Sequence, residues 1–157
     1  MSEFKKIIGL EGLQNSGKSH ILKNLVTRLS KGVNVVVYDY DGNLLQNLTD
    51  KDYIAFFNYE NKYIAVATGG DYLRNVKDVE NAVNRNNKDI DVLVAAMRDV
   101  SPDVKSRYEV FANEKGIPFE TIFKPGFREA DNQMFSLGIA ASEMYWIIAL
   151  ETKIREN

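Results

Sequence analysis

Apolar positions along this chain fall into two periods. Short unbroken or alternating runs fit buried strands, and stripes at i, i+3, i+4 fit helices. Phe4–Glu11 reads as a short buried strand. Ile21, Leu22, Leu25, Val26 and Leu29 then recur at helical spacing, and Gly32 stands where that helix should stop. Val33–Tyr38, rich in valine, reads as a second buried strand, after which Asp39–Asn43 turns the chain. Tyr53–Tyr59 and Lys62–Thr68 are strand-like runs joined by Glu60-Asn61, the pattern of a hairpin. Leu73, Val76, Val79 and Val83 share one helical face, and Ile90–Met97 is a further buried strand. Ser101-Pro102-Asp103 starts a helix, with serine as N-cap, proline in the first helical position and an acid in the first turn. Its stripe is Val104, Tyr108, Phe111 and Ala112, and Gly116 ends it. Ile117–Phe123 reads as the last strand, broken by Lys124-Pro125-Gly126. Glu129 to about Glu156 is a long apolar helix carrying Trp146, the only tryptophan.

Strands alternating with helices predict an α/β fold with a mainly parallel sheet, right-handed crossovers and helices on both faces. The expected parallel strands are Ile7–Glu11, Val33–Tyr38, Lys62–Thr68, Ile90–Met97 and Ile117–Phe123, with Tyr53–Tyr59 as an antiparallel edge. No linker, repeat or low-complexity tract interrupts the pattern, and 157 residues fit one domain over residues 1–157.

Composition narrows the chemistry. The absence of cysteine removes disulfides, thiolate metal sites and a cysteine nucleophile. One histidine, His20, excludes a multi-histidine metal centre. A net charge of −2 disfavours a broad electrostatic grip on nucleic acid. No run has the length and lack of charge needed to span a bilayer, and the N-terminus lacks a signal-type apolar run, so the expected location is the cytoplasm.

The strongest local signal is Gly12-Leu13-Gln14-Asn15-Ser16-Gly17-Lys18-Ser19, a complete G-x-x-x-x-G-K-[ST] sequence between the first strand and the first helix. Two glycines allow a backbone curl whose N–H groups converge on an anion, and the following helix turns its positive end toward the same point. The segment resembles the Walker A motif of the P-loop NTPase superfamily. The resemblance implies that Gly12 to Ser19 bind a nucleoside triphosphate, ATP, that Lys18 reaches the β- and γ-phosphates, and that Ser19 meets Mg²⁺. It implies a P-loop NTPase fold, and its size and loop are similar to those of small nucleotide or metabolite kinases and of phage or mobile-element P-loop ATP-binding proteins. The Asn-Lys pair by which small GTPases read guanine is absent.

In open α/β sheets ligands bind at the carboxyl ends of the strands. That edge nominates Asp39, Asp41, Thr68, Gly69, Gly70, Asp71, Arg98, Asp99 and Lys124–Gly126. Asp39 and Asp71 are the candidates for a second Mg²⁺-supporting carboxylate. Asp71 also reads as a helix N-cap, and Asp41 as a turn residue before Gly42. Arg98 can reach a transferred phosphoryl group, or it can pair with Asp99 or Glu109. Lys105, Arg107 and Arg128 read either as a phosphate clamp or as a solvated face. The resemblance implies a base contact at Lys124. His20, directly after the Mg²⁺-type serine, is a candidate nucleotide-site or catalytic residue, against which stands the reading as helix surface or packing. Tyr53, Phe56, Phe57, Tyr59 and Tyr63 are base-stacking or core residues. The C-terminal helix is apolar on several sides, as a helix is when it is buried or shared with a second copy. Two functions fit: Mg²⁺-dependent transfer of phosphoryl from ATP to an unidentified small acceptor, and a slowly hydrolysing ATP-binding module that acts through a protein partner.

Overall fold

A computed structural model describes residues 4–12, 17–70, 74–98, 103–124 and 139–156. Seven strands form one sheet: β1 (Ile7–Gly12), β2 (Val36–Asp39), β3 (Leu44–Leu45), β4 (Tyr53–Tyr59), β5 (Lys62–Ala67), β6 (Val92–Arg98) and β7 (Phe119–Phe123). Among the described residues the helices are α1 (Lys18–Leu29), α2 (Arg74–Asn86), α3 (Asp103–Lys115) and α4 (Ile139–Arg155). The order across the sheet is β3-β2-β4-β5-β6-β1-β7.

The class is α/β as the pattern predicts, but the sheet is mixed rather than mainly parallel. β5 with β6, β6 with β1 and β1 with β7 pair in parallel. β4 pairs antiparallel with both β5 and β2, and β2 pairs antiparallel with β3. Tyr53–Tyr59 is therefore an interior strand, not the expected edge, and the two-residue β3 takes the edge instead. The reason is visible in β4 itself: Tyr53 to Phe57 are all buried, on both faces of the sheet. A run apolar on both faces needs cover on both, which a central strand of a helix-flanked sheet has and an exposed edge lacks. β2 is shorter than Val33–Tyr38 because the chain leaves α1 through Gly32 at φ 77°, and Val33 stays exposed. Its only pairings are antiparallel.

The Glu60-Asn61 hairpin forms as expected, with both residues at positive φ (47° and 66°), as a two-residue I′-type connection requires. Alternation along the strands splits the core in two. Ile8, Leu10, Val66, Val94 and Phe57 pack under α1 and α4, against Leu22, Leu25, Val26, Ile147 and Leu150. Ile7, Leu93, Met97, Ile54 and Phe56 pack under α2 and α3, against Val76, Val79, Val83, Val104 and Tyr108. The predicted stripes of α1, α2 and α3 thus face the sheet, and helices cover both faces. Leu73, Ser101, Pro102 and residues 125–138 lie outside the described residues. On α4, Ile147 is buried and Trp146 half-buried against the core, while Met144, Tyr145 and Ile148 are exposed. Among the described residues no helix is long and apolar enough to cross a membrane.

Candidate functional site

β1 is buried along its whole length and delivers Gly12 to the edge of the sheet where β5, β6 and β7 also end. Leu13, Gln14, Asn15 and Ser16 lie outside the described residues. The chain re-emerges at Gly17, which caps α1 at φ 94°, ψ 11°, a left-handed conformation that costs glycine least. Lys18 opens α1 with its side chain buried, and Ser19 follows half-buried.

A carboxylate does meet Ser19, from a direction the sequence does not announce. Because β4 runs against its neighbours, its first residue arrives at the edge where β5 ends. Asp52, one position before β4, stands there. The Ser19 hydroxyl donates to Asp52 Oδ1. The Thr68 hydroxyl lies 3.0 Å from the same oxygen, and Lys23 Nζ lies 3.8 Å from it. Thr68 in turn accepts the Tyr53 N–H at 3.0 Å, which ties the Asp52 backbone to the end of β5.

The turn after β5 is built to fit closely against Asp52. A Cβ on Gly69 would stand 3.1–3.2 Å from the Asp52 side chain, and one on Gly70 would stand 1.8 Å from the Ala96 carbonyl oxygen. The Tyr40 hydroxyl donates to the Gly69 carbonyl and accepts the Gly69 N–H, both at 2.9 Å. Burial holds the Tyr40 phenol protonated well above its ordinary range, so it keeps its donor.

Asp39, expected as a metal carboxylate, is occupied by its own turn. Its Oδ1 accepts the N–H groups of Asp41 (3.0 Å) and Asn43 (2.8 Å), and its Oδ2 accepts the Asn43 side-chain amide (3.0 Å). The Asn43 N–H above all holds this carboxyl below the ordinary aspartate value of 3.8. β2 stands four places from β1 across the sheet, roughly 19 Å at the ~4.8 Å spacing of strands. Asp41 is exposed in the same turn. Asp71, Asp99, Pro125, Gly126 and Arg128 lie outside the described residues.

Arg98 ends β6 in register with Gly12, on the α1/α4 face by alternation from Ala96. Among the described residues its buried Nε has no hydrogen-bond partner, a feature that normally has a functional or solvent explanation. Lys105 is not a loose clamp residue: its Nζ lies 3.1 Å from Oε1 of Glu11, a buried carboxylate at the end of β1. Arg107 is exposed. Lys124 is buried beside β1, and its N–H donates to the Glu11 carbonyl at 2.8 Å. His20 Nδ1 lies 2.8 Å from Glu143 on α4, and Asn24 donates to the other Glu143 oxygen at 3.3 Å. Tyr53, Phe56 and Phe57 are core residues, while Tyr63 stacks on Phe56 and Tyr59 donates to Glu151.

Two cavities flank the β2–β3 turn on this edge. One of about 290 Å³ is lined by Asp39, Tyr40, Asp41, Lys51, Asp52, Gly70, Arg74 and Asn75. The other, about 410 Å³, lies between the turn and α2, with Asp78 and Arg85 in its wall. Among the described residues no group of three or more histidine or acidic side chains could by itself hold a metal. Comparison with protein-family models, curated proteins and solved structures finds no match to this chain.

Proposed function

We propose that this chain is a P-loop protein that binds MgATP through Gly12 to Ser19 and transfers the γ-phosphoryl group to a small acceptor. The observation that carries the reading is the hydrogen bond from Ser19 to Asp52. It supplies the pairing of a hydroxyl and a carboxylate that Mg²⁺ bound to ATP phosphates requires, without an all-protein cage. The lack of a three-acid cluster among the described residues fits such a site, because Mg²⁺ there takes one or two protein ligands, phosphate oxygens and water.

Each residue then has a limited task. Ser19 keeps its hydroxyl hydrogen on Asp52, which turns its lone pairs outward. Asp52 is held in place by Thr68 and Lys23. Lys18 provides a fixed cation at the start of α1, and the α1 N-terminus adds its dipole. Arg98, with its unsatisfied buried Nε, meets charge on the transferred group. Ser19 and Asp52 would hold Mg²⁺, which would supply neutralisation of phosphate charge when bound. Asp52 thus takes the part the sequence offered to Asp39 or Asp71.

Calorimetry tests the reading. The wild-type chain is expected to bind MgATP, and Lys18→Ala to weaken that binding tenfold or more while melting normally. Equal affinity in the two proteins would sink the proposal. A second reading, an ATP-binding module that works through a partner, is favoured by one observation. Exposed Met144, Tyr145 and Ile148 stand on α4, the helix whose Glu143 is tied to His20 beside Ser19. That reading gains if MgATP binds but no acceptor stimulates ADP formation.

A further inference from the structure

We infer that Glu11 and Lys105 are a positioning pair for the phosphate segment. Lys105, in the first turn of α3, fixes the last residue of β1 before Gly12, so that the segment leaves the sheet in one orientation. This rests on the MgATP reading above. It adds two residues that act on that site through the backbone, without touching the nucleotide.

Position comes first. Ile7, Ile8 and Leu10 make β1 an apolar core strand. Glu11 is enclosed like them, at 8% exposure, yet it carries a carboxylate. Alternation from Ile7 turns it to the α2/α3 face, where its Oε1 lies 3.1 Å from Lys105 Nζ. The carbonyl of the same residue accepts the Lys124 N–H at 2.8 Å, at the end of β7. On the other side β6 sets Glu11 beside Met97 and Gly12 beside Arg98. Side chain and carbonyl of Glu11 are thus both held, at the one peptide group from which the glycine segment departs.

Stability alone does not call for this pair. Val104, Tyr108 and Ala112 already seat α3 on the sheet, in the cluster that contains Ile7 and Met97. Removing two charges from water costs as much as, or more than, their attraction returns, and an apolar pair of similar size holds a helix as well or better. What apolar contacts lack is direction. Methyl groups slide past one another, whereas a hydrogen bond between charges sets both distance and angle. A directed bond at the mouth of the phosphate segment, on a helix held elsewhere by apolar side chains, suits the alignment of N–H groups on an anion. There a misplacement of about 1 Å costs on the order of 10²-fold in rate.

The test compares the full wild-type chain with Lys105→Met and with the double variant Glu11→Met/Lys105→Met. Three quantities are read: the denaturation midpoint, kcat/KM for MgATP, and amide hydrogen exchange without nucleotide. Lys105→Met leaves a buried carboxylate alone and is expected to lower the midpoint and kcat/KM together. The double variant removes that charge and is expected to regain the wild-type midpoint, while kcat/KM stays at least tenfold below wild type. Its Gly12 and Lys124 amides are expected to exchange at least tenfold faster, with Leu10 unchanged. A double variant that regains midpoint and turnover alike would show an anchor for α3 and nothing more, and overturns the inference, as does wild-type exchange at Gly12 and Lys124. Should the double variant not fold, Lys105→Met decides: exchange at Gly12 and Lys124 must rise tenfold more than at Leu10, and an equal rise at all three overturns the inference. Wild-type protein that does not bind MgATP strikes the nucleotide reading instead. The exchange comparison then still decides whether the pair fixes the end of β1, so the two failures are told apart.

Discussion

The two halves of the sheet do different work. In β5-β6-β1-β7 the strands are parallel, every connection passes through a helix, and the ends of the strands present Thr68, Arg98, Gly12 and Lys124 along one edge. In β3-β2-β4 the strands are antiparallel, no helix joins them, and the half adds little helix-covered core beyond β4. Yet the antiparallel half brings the carboxylate. A strand that runs backwards begins where its neighbours end, so Asp52 reaches Ser19 from a position that no parallel strand would give it. The parallel half holds the glycine-lysine-serine segment to which the anion site is assigned by proposal, and the antiparallel half brings Asp52 to it and walls the cavity beside it.

The largest expected effect falls at the seam between the halves. Gly70→Ala puts a methyl group 1.8 Å from a backbone carbonyl that cannot turn aside. The expected cost is about 3 kcal/mol, at the upper end of overpacking, and is read by chemical denaturation. Gly69→Ala meets only the Asp52 side chain, which is partly exposed and can move. It is expected to disturb turnover more than stability. A Gly70→Ala protein as stable as wild type would show that the seam is not rigid.

Asp52→Ala separates the halves functionally. It is expected to lower ADP formation by ~10²-fold or more, which corresponds to about 2.7 kcal/mol of transition-state stabilisation. Asp91→Ala, at the opposite edge of the sheet, is expected to leave MgATP affinity unchanged. Equal turnover in Asp52→Ala and wild type would end the assignment of the carboxylate.

Tyr40→Phe tests how firmly the turn after β5 is held. It removes both hydrogen bonds to buried Gly69 and leaves a backbone N–H and carbonyl without their partner. A loss of about 1–3 kcal/mol in thermal unfolding is expected.

The smallest effect is a dependence on pH. Asp91 lies below the ordinary aspartate value of 3.8, first because it accepts the Tyr63 N–H at 2.7 Å and then because Lys5 is near. Its folded form binds a proton less readily than its unfolded form. The stability it contributes is therefore complete above pH 3.8 and is lost as pH falls through the lower folded value. Asp39 behaves in the same direction. Asp91→Asn is expected to lower the neutral plateau and leave stability at the acid end little changed, so that the acid limb below about pH 4 flattens; an unchanged acid limb would refute this.

Much of the parallel half can be read from the chain. Ile21, Leu22, Leu25, Val26 and Leu29 are all buried, as are Val76, Val79 and Val83. A helix face against a sheet imposes its period on the sequence, so the period identifies it. The Glu60-Asn61 turn is equally legible because its backbone conformation restricts which residues serve well. β4 was open to misreading. Its continuous apolar run was a sign of burial on both faces, but its place beside β2 depends on a long-range pairing. Asp52 is not legible in the sequence, because ligand-edge carboxylates are expected after parallel strands, and a residue just before Tyr53 reaches that edge only because β4 runs backwards.

By itself the sequence determined the alternation of strands and helices, which faces of α1, α2 and α3 are buried, and the glycine-lysine-serine segment between β1 and α1. Those are local properties, set by side-chain period, turn geometry and the spacing of a few residues. Strand order and direction, the meeting of Ser19 with Asp52, the self-contained Asp39 turn and the burial of the Arg98 Nε were decided only in three dimensions. The strand order and the Ser19–Asp52 contact join residues far apart in the chain. Pairing across a sheet is chosen by the burial of whole faces and by edge compatibility, and no single stretch of sequence carries that information.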